Sequence, residues 1–170
     1  AGNVSSASSG LSVTIDTTAP TLTVSTLSFS ADTGSSSSDF ITQTAAQTIS
    51  GTLSGVTATR DIVEVSFDNG STWATASNTI GQNSWSLAGQ TLTASNTLKV
   101  RVTDAAGNTG TAASQAYVLD TTAPSVTAVS IPATTMKVGA TVTATITVAD
   151  DGGVAYTLGS GTIGGFTLSN

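Results

Sequence analysis

Residues 106–124 read AGNTGTAASQAYVLDTTAP, and residues 1–20 read AGNVSSASSGLSVTIDTTAP. Both stretches open on Ala-Gly-Asn, pass through an alternating apolar segment and close on Asp-Thr-Thr-Ala-Pro; the later copy is one residue shorter. Asp16 and Asp120, which head the closing motif, stand 104 positions apart. That is the length of one two-sheet β-sandwich domain. Two matched motifs at a matched separation indicate a tandem array. The chain divides accordingly. Residues 1–15 read as the last strand of a preceding domain, 16–120 as one complete repeat, and 121–170 as the first half of a following domain of a different subtype. Pro20 and Pro124 mark the joins. Proline fixes φ and pushes the residue before it to an extended conformation. Asp-Thr-Thr-Ala-Pro is therefore a short, stiff linker, unlike a Gly/Ser coil.

Working inward from the joins, strand patterns recur at short intervals. They fall at Thr21–Ser25, Gln47–Leu53, Asp61–Phe67, Ser84–Leu87 around Trp85, Thr97–Thr103 and Ala116–Leu119, with Trp73 opening the return arm of a hairpin. In Leu98-Lys99-Val100-Arg101-Val102 the alternation sends the apolar side chains to one face and both cations to the other. About seven strands with turn signals between them predict an all-β fold, an immunoglobulin-like Greek-key β-sandwich. The third piece reads differently. Lys137–Asp150 is expected to form a long alternating strand pair with Val142, Ala144, Ile146 and Val148 on one face, followed by glycine turns at Gly152-Gly153 and Gly164-Gly165. A half-sandwich leaves unpaired edges that another strand must cover.

Composition agrees and excludes several functions. Hydrophobic residues make up 38% and charged residues only 8%, which is the reverse of the disordered signature. Ser and Thr together supply 59 of the 170 residues, while Glu and Met occur once each. Thr and Val favour strands, and Ser and Gly favour turns. Without Cys or His the chain lacks disulfide staples, the usual nucleophile–base pairs and nearly all zinc sites. It is read as non-enzymatic. A net charge of −6 with four basic residues argues against nucleic acid. No apolar run is long enough for a membrane span.

The acidic residues are nine Asp and the single Glu64, and almost every Asp falls at a turn or a join. Two readings compete. Aspartate caps turns by accepting nearby backbone N–H groups; that reading is preferred for Asp61, Asp68 and Asp151. Loop carboxylates also bind Ca²⁺, a hard cation that takes several oxygen ligands. That reading is preferred for the linker and loop residues. Asp32 and Asp39 share one loop. Asp104 ends a strand and is expected at the pole where the chain leaves the domain. Asp16, on the incoming linker, is expected to face the loop of Asp32 and Asp39, where converging carboxylates would call for a cation.

Three motifs together resemble the bacterial immunoglobulin-like repeats of giant type I-secreted surface adhesins, many of them RTX-class. They are the Asp-Thr-Thr-Ala-Pro linkers, the loop D-T-G-x4-D-x-I-T from Asp32 to Thr42, and the strand end V-T-D-x-A-G-N from Val102 to Asn108. The resemblance implies calcium roles for Asp16, Asp32, Asp39, Asp104 and Asp120, a structural ion that stiffens the array, and a stalk that projects a distal ligand-binding region from the cell surface. The implied partners are neighbouring domains of the same chain, and a host or surface ligand met by regions outside this segment. The third piece lacks the D-T-G-x4-D loop, so the junction at Asp120 is expected to coordinate differently or not at all.

One motif points elsewhere. Ser66–Trp73, SFDNGSTW, matches the Asp-box pattern of sialidase propellers. A propeller needs such a unit several times, and here it occurs once, so it reads as a hairpin turn with Trp73 packed beneath. Two other functions compete with the spacer reading. A carbohydrate-binding or accessory module would need Trp73 or Trp85 on the surface, and an extracellular filament subunit would need strands from a second chain to complete residues 121–170.

Overall fold

The computed structural model describes residues 1–34, 36–135, 137–140 and 142–149, together with the backbone of 162–163 and 166–167. Nine strands build the central domain: β1 (Val24–Phe29), β2 (Ile41–Thr42), β3 (Ala46–Leu53), β4 (Ile62–Ser66), β5 (Ala74–Thr75), β6 (Ser77–Asn78), β7 (Ser84–Thr91), β8 (Asn96–Thr103) and β9 (Ala113–Leu119). They form a four-stranded sheet, β1-β3-β7-β6, and a five-stranded sheet, β2-β9-β8-β4-β5. All pairings are antiparallel except β2 with β9, which is parallel. The chain changes sheets between β1 and β2, so one N-terminal stretch edges both layers.

The alternation on β8 decides the core. Leu98, Val100 and Val102 are buried, as are Val63 and Val65 on the neighbouring β4. Ile49, Leu53 and Trp85 of the other sheet join them in one cluster. Glu64 and Arg101 stand opposite each other on the outer face and pair at 2.9 Å. Thr103 also donates its hydroxyl to Glu64, at 2.6 Å. Burial pushes the Glu64 pKa up, but the Thr103 hydroxyl and the Arg101 cation outweigh it, and the net shift is downward. An aromatic trio closes one end of the core. Phe29 meets Phe40 at 5.0 Å and Tyr117 at 5.8 Å, both edge-on, a favoured ring geometry.

Two strands extend past their sequence patterns, and bulges explain both. On β1 the register shifts between Val24 and Thr26. The inward set therefore runs Leu22, Val24, then Leu27 and Phe29, breaking the period of two. The strand is Val24–Phe29 rather than Thr21–Ser25, and Leu22, packed against the core, and Thr23, hydrogen-bonded to Ser54, lead into it. On β7 a shift opposite Gln47–Ile49, with Gly89 at φ +69°, carries the strand on to Thr91.

Residues 1–23 contain no strand in this structure, and Leu11, Val13 and Ile15 are 90%, 76% and 85% exposed. Beyond the sandwich, β10 (Val126–Ser130) pairs antiparallel with β11 (Thr145–Val148). This corrects the expectation of a strand pair within Lys137–Asp150: the partner of 145–148 lies upstream of Pro132, and the intervening segment turns at Lys137–Ala140. The glycine turns at 152–153 and 164–165, and the turn cap at Asp151, lie outside the described residues. Two short strands, β12 (Thr162–Ile163) and β13 (Phe166–Thr167), pair with each other.

Candidate functional site

The linkers attach to opposite ends of β8. At its downstream end, the turn after Thr103 holds the incoming linker: the Asn108 side-chain amide donates to the Asp16 carbonyl at 3.1 Å and to Asp104 Oδ2 at 3.0 Å. At its upstream end, Leu119 N–H donates to Ser95 Oγ at 3.1 Å, one residue before β8 begins, and the next residue starts the outgoing linker. Eight residues of strand separate the two, roughly 26 Å. The incoming linker thus meets one pole of the sandwich and the outgoing linker leaves from the other.

This polarity corrects two expectations. Asp104 lies at the incoming pole, because β9 runs antiparallel to β8 and returns the chain to the far end before it leaves. Asp16 therefore faces the Asp104–Asn108 turn. The loop of Asp32 and Asp39 sits at the outgoing pole, since β2 follows it and runs parallel to the last residues of β9. There Thr42 accepts the Asp120 N–H through its carbonyl at 2.9 Å.

The local chemistry of each aspartate is specific. Asp16 Oδ1 accepts Thr18 N–H at 3.0 Å, and Asp120 Oδ1 accepts Thr122 N–H at 2.9 Å, the same turn in both linkers. Asp104 Oδ1 accepts the Ala106 and Asn108 N–H groups at 2.9 and 2.8 Å. The Asn108 amide above all holds the Asp104 carboxyl below its ordinary range; partial burial opposes this, and the backbone N–H groups of the turn add to it. Asp39 Oδ1 accepts Ile41 N–H at 3.1 Å. Asp32 Oδ2 accepts Phe40 N–H at 3.0 Å, while its Oδ1 is buried without a partner among the described residues.

Phe40 explains why that loop has its form. Its φ is +62°, a left-handed conformation that costs a bulky residue roughly 1–2 kcal/mol. Asp32 fixes its N–H, Val118 N–H binds its carbonyl at 2.9 Å, and its ring is buried against Phe29. The loop is thus a sheet-crossing device before it is anything else. Among the described residues, no three His, Cys, Asp or Glu side chains are placed to hold one metal ion.

The Asp-box hairpin is a closed local structure. Ser66 Oγ donates to Asp68 Oδ1 at 2.7 Å and accepts Gly70 N–H, also at 2.7 Å. Thr72 donates its hydroxyl and its N–H to Asp68 at 2.6 and 2.8 Å. These bonds, those from Thr72 foremost, push the Asp68 pKa down to about 2. Trp73 Nε1 donates to the Gly70 carbonyl, and the Arg101 guanidinium lies over its ring at 3.9 Å from the centroid. Trp85 is buried in the core. Asp61 caps its own turn by accepting Ala58 N–H.

Sequence reasoning missed Asn108, Gly110 and Phe40 as placed residues. Only Asn108 carried a signal, its recurrence in both Ala-Gly-Asn motifs. Two sheets joined by a sheet-switching first strand, with linkers at opposite poles, define an immunoglobulin-like module. The chain belongs to the bacterial Ig-like domain family, whose model matches residues 18–121, more than half of its length. No curated protein matches the chain. Among the described residues no helix is long and apolar enough to cross a membrane.

Proposed function

We propose that residues 16–120 are a non-catalytic spacer module of a bacterial cell-surface adhesin, one of a string of like domains that holds a distal binding region away from the cell. The observation that supports this most directly is the polarity of the linkers. A module entered at one pole and left at the other adds its length to the string. Family membership supports an extracellular setting. In the same reading residues 1–15 close a preceding domain and 121–170 open the next.

Calcium stiffening of the junctions belongs to this proposal. The outgoing pole carries Asp32, Asp39 and Asp120, and the incoming pole Asp16 and Asp104. In a string, the outgoing pole of one domain meets the incoming pole of the next, so each junction gathers oxygen ligands from both. Hard carboxylate oxygens suit Ca²⁺, and the buried Oδ1 of Asp32, which no protein donor meets among the described residues, supports this reading. The carbohydrate reading is weaker, because Trp85 is buried and Trp73 carries Arg101 over its ring.

Small-angle scattering and thermal melting of the 170-residue chain, in calcium and in EDTA, test both parts. The expected result is an elongated profile that becomes stiffer, with a higher Tm, in calcium. A profile in which the segments fold back on the sandwich would break the spacer reading. Identical profiles and melting curves in the two buffers would remove calcium and leave the spacer standing.

A further inference from the structure

The turn after β8 does more than end a strand. Asp104 N–H bonds the Asn108 carbonyl at 3.0 Å, Asn108 N–H bonds Asp104 Oδ1, and Gly107 takes φ +91° between them. Gly110 N–H returns to the Val102 carbonyl at 2.8 Å, so the turn is anchored at both ends. This rigid frame presents two features to the incoming linker. The first is the Asn108 amide, whose Nδ2 spans the Asp16 carbonyl and Asp104 Oδ2. The second is the bare backbone of Gly110. A Cβ there would stand 2.7 Å from the Pro20 carbonyl, closer than such atoms approach. One contact holds the first residue of Asp-Thr-Thr-Ala-Pro and the other receives its last.

We propose that the Asp104–Gly110 turn is a docking seat for the incoming Asp16–Pro20 linker, with Asn108 as an amide latch and Gly110 as a steric notch, and that this seat fixes the linker without a metal ion. The latch depends on a side-chain N–H that reaches two oxygens at once. A carboxylate of the same size has no such donor and would repel Asp104. The notch depends on the absence of any side chain. The two features are chemically independent, and both act on the same five residues. The seat is a property of the domain itself, and it stands whether or not the module belongs to an adhesin stalk.

The test is backbone ¹⁵N relaxation on the 170-residue chain in EDTA, comparing the parent with Asn108→Ala, Asn108→Asp and Gly110→Ala. Amides of β3 and β8 in the same spectra report whether each variant remains folded. In the parent, order parameters at Thr17, Thr18 and Ala19 should sit near the rigid value of about 0.85; in all three variants they should fall below about 0.6. A parent linker that is already mobile in EDTA would overturn the proposal, as would variants whose linkers stay rigid. Gly110→Ala keeps the Asn108 latch and the Asp104 turn, so it probes the notch even if the latch variants loosen the turn itself. None of these outcomes depends on the scattering profile that tests the spacer reading.

Discussion

Asp-Thr-Thr-Ala-Pro occurs twice, and the two copies are held differently. At 16–20 the linker lies against a turn that grips it at Asp16 and abuts Pro20. At 120–124 the same pentapeptide makes the same Asx turn, yet among the described residues its hydrogen bond to the sandwich is that of Asp120 N–H to the Thr42 carbonyl, and Pro124 is exposed where Pro20 is half-buried. Proline and the Asx turn restrict both copies equally. The difference lies in the surface each one meets. On the proposed seat, the stiffness of a linker depends on the surface it lies against as well as on its own sequence.

That comparison can be broken from either pole. The largest effect is expected from Phe40→Ala, which removes the ring that anchors the sheet crossing. Phe→Ala in a core costs about 3–5 kcal/mol, and denaturant unfolding should show a loss of that order. Because Thr42 follows Phe40, amide protection at Asp120 should fall while the Asn108 contact to Asp16 survives. Equal loosening of both linkers would mean that the poles are coupled through the core.

Asp32→Ala should cost less, about 1–3 kcal/mol for a buried Phe40 N–H left without its acceptor. If Asp32 also binds calcium, the variant should lose the calcium-dependent rise in Tm, whereas Asp61→Ala should keep it. A smaller effect is expected from acid. The Asp104 pKa is lowered in the folded chain, so its contribution is present above the ordinary carboxylate value and is lost as pH falls through the lower, folded one. Carboxyl-carbon titration by NMR should show Asp104 protonating below 3.8, and the incoming linker loosening with it. Asp68, held at about 2, should keep its hairpin intact over the first part of that range.

The fold was largely legible because β8 follows a strict period of two. Leu98, Val100 and Val102 could only face inward, with Lys99 and Arg101 outward. Legibility failed where the period broke. The bulges at Ser25 and Gly89 moved inward positions by one residue, and no local pattern announces such a shift. The two-residue strand β2 has no pattern at all. It exists because Phe40 enters the core and brings Ile41 and Thr42 alongside β9. The sites followed the same division. Turn chemistry marked the aspartates as loop residues, and Asp61 and Asp68 behave as turn caps. Their sorting between poles could not be read, because it depends on β9 reversing the chain.

The alternation of β8 and the strand-and-turn pattern between the two Asp-Thr-Thr-Ala-Pro motifs, read as sequence, determined one sandwich-length unit flanked by proline-bearing linkers, since length, alternation and proline act locally. Only the tertiary structure decided which motif meets which. Asn108 lies 92 residues from Asp16 along the chain, and no local rule pairs them. The antiparallel path of β8 and β9 places the turn of the domain against the linker that enters it and sends the following linker out from the other pole.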